Sequence, residues 1–407
     1  MTRNQLLARI TKHYLESRDF NGLPVDQDTP RGQVEQLIRT GLVSLNRGDR
    51  HPNPHVKAFA PEPVDEQLRK IAEAGIDGCL YPEPIHLEKV VNKADYEGRP
   101  FSRCLALGEP QLSFKVFDLN VLEHYRNDPR YYFTIDDLHG RISVHDDVEM
   151  RERDEIFLQT FGFAYDDNMN RAVAVFLRYL RRLTPEHQRL WEARLLEGEY
   201  DLHPDYWANA MGIWTHRVSI FVAFAEEMTI INKMCRLMGR AQLFRSEVGG
   251  GSRPREFAFL LRPTQKAFHE FVLCLDKMIS ENIDINFFGL DVSAERERTR
   301  SDGKIVVERK GSLQMLAEWL EESVELVDPK PKDDMLATFR KIRKMRQAPA
   351  HRLGRDIFDQ ALFREQRQLM LEAYAAVRTL RLILANHPAS EQVEVPDWLY
   401  KGEILSY

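Results

Sequence analysis

FRKIRKMRQAPAHRLGR, running from Phe339 to Arg355, sets seven basic side chains and one histidine in succession with no acid among them. Arg340, Lys341, Arg343, Lys344, Arg346, Arg352 and Arg355 make a local cationic surface suited to phosphates. Phe339, Ile342 and Met345 recur at three-residue steps between the charges, so a helix here buries one side and keeps the other basic. A charge run of this kind is commonly only the solvated face of a helix, and that reading stands beside the phosphate-binding one.

Outward from this stretch the C-terminal third reads as helices. PTQKAFHEFVLCLDKMISENI carries Phe268, Phe271, Val272, Leu275 and Ile279 on one face, and SLQMLAEWLEESVEL carries Leu313, Leu316, Trp319 and Leu320. DPKPKDD is a linker that caps a third helix from about Asp334 to Arg346, and a fourth runs from about Asp359 to Asn386 with Phe363, Met370, Val377, Leu380 and Leu384 on its stripe. DGKIVVERKG is a short β arm between the first two.

Arg346-Gln347-Ala348-Pro349-Ala350-His351 spells Arg, four residues, His, with a small residue before the histidine, and it closes the third of four helices. In both respects it resembles the HEPN superfamily over about residues 255 to 387; the first two-thirds of the chain carries no such likeness. The resemblance implies a C-terminal HEPN-like four-helix bundle over 255–390 whose motif meets a second copy across a dimer and cuts RNA without a metal ion or other cofactor. Arg346 would hold the scissile phosphate, His351 would act as general base or acid, and Gln347, where family members often have Asn, Asp or His, would orient one of them. Arg340, Lys341, Arg343, Lys344, Arg352 and Arg355 would guide the RNA. On a straight helix residues five apart point roughly 140° from each other, so Arg346 and His351 converge only if the helix ends or bends near Pro349. Such nucleases often serve as effectors of defence or toxin-type systems held silent by a protein partner. Other HEPN-like domains bind nucleic acid or protein without catalysis, and an adaptor in a larger assembly is the rival reading.

At 407 residues, with 43% hydrophobic and 29% charged side chains, the chain has room for two or three domains with proper cores. A net charge of -6 argues against general adhesion to nucleic acid and leaves a local basic site open. Cys79, Cys104, Cys235 and Cys274 are scattered without a Cys-x-x-Cys pair, which suggests reduced thiols of the cytoplasm, neither zinc ligands nor a disulfide framework. The N-terminal residues lack the apolar core of a signal peptide, and no apolar run approaches the roughly 20 residues of a membrane span.

The expected fold class is mainly α with a minor α+β portion. Helix, short strand, helix, then two strands around NRGDRHPNPH give residues 1–60 the order of a winged helix, with few cations beyond Arg31 and Arg39 for reading DNA. Residues 61–150 read as a mixed region in which Phe133 and Ile135 alternate before a turn and Ile142 and Val144 after it, a hairpin signal. Asp136, Asp137, His145, Asp146 and Asp147 around it are better taken as turn formers than as metal ligands. Residues 151–248 read as helical, with Val173, Phe176, Leu177 and Leu180 as one stripe. SEVGGGSRPREF puts a hinge at 249–254, and 391–407 reads as a tail.

Overall fold

A computed structural model describes residues 1–49, 51, 53–57, 61–135, 138–213, 217–248, 253–254, 256–289, 291–299, 302–347 and 356–405. With 47% helix and 16% strand in several small sheets, the protein is a mixed α/β chain. It divides into two compact units, Met1–Thr215 and His216–Tyr407.

In the first unit, α1 (Arg3–Glu16) opens on a reciprocal cap between Thr2 and Gln5 and buries Leu6, Ile10 and Tyr14. Strands β1 (Leu23–Pro24), β2 (Val43–Asn46) and β3 (Cys79–Pro82) form an antiparallel sheet in the order β1-β3-β2. Helices α2 (Arg31–Arg39) and α3 (Val64–Ala74) add Val34, Leu37, Ile38 and Ile71 to its core. The sequence places both partner strands before residue 60. The middle strand instead arrives after α3, so the winged-helix boundary at 60 cuts through the sheet.

The larger sheet corrects the helical expectation for 151–248. It runs β4 (Phe114–Phe117), β8 (Arg171–Phe176), β7 (Phe157–Tyr165), β6 (His139–Val144) and β5 (Tyr131–Ile135), with β9 (Asp201–Leu202) beside β7. Ala172 to Phe176 are all buried. A strand covered on both faces is a continuous apolar run, and its spacing cannot be told from that of a buried helix. The helical part of the stripe is only the turn Leu177–Leu180. The expected hairpin is β5 and β6, with Phe133 opposite Ile142.

Between α4 (Val121–Arg126) and α5 (Pro185–Glu192) lies a closed polar chain. The Asp154 carbonyl can only accept, so His187 carries its proton on Nε2 (3.2 Å); its Nδ1 then accepts from the Tyr125 hydroxyl (2.8 Å), which accepts from Trp191 Nε1 (3.0 Å). Burial lowers the His187 pKa from 6.5, because a charged ring here would lose its solvation. A depressed histidine pKa contributes stability that is complete above the unfolded value and is lost as pH falls below it. The urea midpoint of the first unit is therefore expected to drop as pH falls from 6.5, and His187→Gln to flatten that slope; a variant with the native slope would refute the assignment.

The second unit gathers α6 (Ile220–Leu237), α7 (Gln265–Met278), α8 (Ser312–Ser323), α9 (Lys330–Gln347) and α10 (Ala361–Ala385) on one core. The four helices read from sequence are α7 to α10. A fifth, α6, supplies Phe221, Phe224, Met228 and Ile231 to the same core, so the unit begins well before the hinge expected at 249–254, of which residues 249–252 lie outside the described residues. Of the tail expected at 391–407, the described residues 391–405 close onto the unit as well. Strand β13 (Ile404–Leu405) pairs in parallel with β10 (Val218–Ser219), and Leu399 and Leu405 are buried. Strands β11 (Glu295–Thr299) and β12 (Ile305–Arg309) make the arm.

Candidate functional site

The basic run rides on α9, which is helical because Met335, Leu336, Phe339 and Ile342 bury one face and Met345 packs beside them. Arg340, Lys341, Lys344 and Gln347 are exposed, and Arg343 and Arg346 are half-buried. Residues three and four apart share a helix face, so Arg340, Arg343, Lys344 and Gln347 form one stripe. Arg340, Arg343 and Lys344 have no ion-pair partner among the described residues. Lys341 differs, since its Nζ donates to Glu372 of α10 at 2.6 Å.

Arg346 turns inward. Its Nη1 donates to Asp276 Oδ2 at 2.7 Å and also to Glu281. Asp276, near the C-terminal end of α7, is 1% exposed, and its other oxygen takes the Ser280 hydroxyl. The hydrogen bonds to Asp276 and then Glu281 raise the Arg346 pKa further above its ordinary value, so the group is a permanent cation. Nε and Nη2 of Arg346 have no partner among the described residues. The carboxylates hold one corner of the fork and leave the rest.

Beyond Gln347 the motif leaves the described residues: Ala348 to Arg355, with His351, Arg352 and Arg355, lie outside them. The flanks of this segment are anchored at opposite ends of α7. Arg346 meets its C-terminal end, while on the other flank the Gln265 N–H donates to the Ile357 carbonyl and the Lys266 N–H to the Asp356 carboxylate, both at 2.9 Å. Ten residues of helix separate these anchors, about 15 Å.

No family model, no curated protein and no solved structure matches the chain. The chemistry of the site therefore rests on its own residues. Among the described residues, a phosphate approaching Arg346 meets one cation and two carboxylates and gains attraction from the neighbouring stripe of Arg340, Arg343 and Lys344.

Sequence reasoning missed Asp276, Ser280 and Glu281. A signal was present, because Asp276 follows Leu275 in a helix whose Val272, Leu275 and Ile279 are core residues, and a buried acid calls for a cation. A cavity of about 570 Å³ along α7, lined by Ser246, Glu270, Cys274, Lys277 and Asn282, does not include Arg346. Elsewhere, His51 Nδ1 accepts from the Asn53 N–H at 3.0 Å, the turn that HPNPH suggests. Asp136 and Asp137 lie outside the described residues, which hold no cluster of three metal-ligating side chains. No helix among the described residues is long and apolar enough to cross a membrane.

Proposed function

We propose that the C-terminal unit is a metal-independent endoribonuclease that binds RNA along Arg340, Arg343 and Lys344 and cuts it with Arg346 and His351, as the effector of a defence or toxin-type system. The observation that carries this reading is the row of cations, without ion-pair partners among the described residues, on the last turns of the helix that leads into the motif. RNA brings its own nucleophile in the 2'-hydroxyl. His351 serves as general base or acid for the proton transfers. Arg346, steadied by Asp276 and Glu281, offers its remaining donors to the phosphorane. Attack by the 2'-oxygen expels the 5'-oxygen of the next nucleotide and leaves a 2',3'-cyclic phosphate. Two copies would each contribute one Arg346 and one His351.

One observation favours the rival, a non-catalytic adaptor that binds RNA or protein: the charge of Arg346 is already met by two carboxylates. Incubation with single-stranded RNA in EDTA separates the two. The native chain is expected to cut and His351→Ala to bind without cutting; equal cutting by both at matched purity would refute the catalytic reading. Binding across a salt series adds a second measure. Arg340→Gln, Arg343→Gln and Lys344→Gln should each lower the salt slope by about one unit, and Lys341→Gln by less, since Lys341 is paired with Glu372.

A further inference from the structure

The arm of β11 and β12 is a sheet of two strands, so each strand keeps an edge with no other strand beside it among the described residues. Isolated two-stranded sheets are marginal in water. Here β11 is exposed along its length, and on β12 Ile305 and Val307 are 65% and 56% exposed on one side while Val306 and Glu308 on the other are half-buried.

The two edges differ in what they allow. When a strand meets its own copy antiparallel about a two-fold axis normal to the sheet, opposed side chains share a face, so odd-numbered residues meet odd and even meet even. On β11, Glu295 and Glu297 alternate with Arg296 and Arg298. Wherever those four residues overlap, Glu opposes Glu and Arg opposes Arg, which is destabilising. The segment Lys304-Ile305-Val306-Val307-Glu308 behaves in the opposite way. Centred on Val306, it sets Lys304 against Glu308 at both ends, Ile305 against Val307 twice, and Val306 against itself.

We propose that the β12 edge binds the β12 edge of a second copy of this chain, joining two arms into a four-stranded antiparallel sheet. Glu308 already accepts from Arg296 at 3.1 Å and from Arg298 at 3.4 Å within its own arm. Its carboxylate has lone pairs for a further donor, and Lys304 of the second copy supplies one. Opposed charges at both ends with an apolar centre fix the register, and the like-charged β11 edges stop the sheet from growing past four strands.

Sedimentation velocity of the full chain at micromolar concentration tests this. The native chain is expected to dimerise. Val306→Glu is expected to raise the dimer dissociation constant at least about tenfold by setting two carboxylates against each other; within its own arm residue 306 lies opposite Arg298, so the arm itself is not burdened. Val306→Lys should weaken the dimer at least as much, since it also meets Arg298 across its own arm, and an equimolar mixture of the two variants should restore it as a heterodimer. A monomeric native chain, a dimer indifferent to Val306→Glu, or a mixture that stays monomeric would each overturn the proposal. Dependence on the charge at residue 306, and its rescue in the mixture, separate this edge from a dimer formed at the Arg346 motif, which those substitutions would leave unchanged.

Discussion

Arg346→Lys is expected to bind RNA nearly as tightly as the native chain and to cut it about 10²–10³ times more slowly, the usual cost of losing one donor to a developing oxyanion. Lysine keeps the charge, can still reach Asp276, and loses the planar fork. The alanine variant is a poorer test. It removes the cation from Asp276, which is 1% exposed, and breaking a buried pair typically costs about 3–5 kcal/mol. Arg346 is itself about a third exposed and Ser280 remains bonded to Asp276, so roughly 2 kcal/mol is expected from that principle. A dead alanine variant would then report unfolding as readily as chemistry. Single-turnover rates at saturating RNA, read beside urea midpoints, separate the two. If Arg346→Lys folds normally and cuts at the native rate, Arg346 is a strut between α7 and α9, and the catalytic role assigned to it is wrong.

What the sequence discloses of this site follows from the range of each interaction. Arg340, Arg343 and Lys344 lie within five residues of one another on one helix, so periodicity alone places them on one stripe. The partners of Arg346 stand 70 and 65 residues away in sequence, and no local pattern ties them to it. The fold divides in the same way. The stripe of Phe268, Phe271, Val272 and Leu275 gives α7 directly, and the alternation around Phe133 and Ile142 gives the hairpin of β5 and β6. The run Ala172 to Phe176 has no alternation to read, because the strand is covered on both faces. Pairing of β2 with β3 spans a whole helix, and the pairing of β10 with β13 joins the start of the second unit to residues near 405. Tertiary contacts of this length leave no trace in a window of residues, which is why the sequence puts the hinge at 249–254 while the compact unit begins at His216.

Arg381→Ala is expected to destabilise the second unit by about 3–5 kcal/mol at neutral pH. Arg381 on α10 donates through Nε to Glu227 on α6, and Glu227 is fully buried with Arg381 5% exposed. Burial raises the Glu227 pKa from 4.5 despite the guanidinium beside it. Removing the cation would strand a carboxylate in the core, and the group would answer by holding its proton to higher pH. The sign of the pH effect follows. A carboxyl with a raised folded pKa contributes stability below its unfolded value and loses it as pH rises through the folded one. The deficit of Arg381→Ala should therefore grow as pH rises above 4.5 and shrink on acidification toward it. Replacing both partners with apolar side chains, Glu227→Leu with Arg381→Met, should recover most of the loss, because the desolvation cost of both charges disappears with their attraction. The same pair tests the extent of the unit. A fragment beginning at residue 255 lacks α6, leaves Arg381 facing an open core, and is expected not to fold; one beginning at residue 217 retains Glu227, Phe221 and Phe224 and should unfold cooperatively in urea. Cooperative unfolding of the shorter fragment, or an Arg381→Ala deficit that does not change with pH, would show that α6 is an accessory layer and that the pair contributes little to holding it in place.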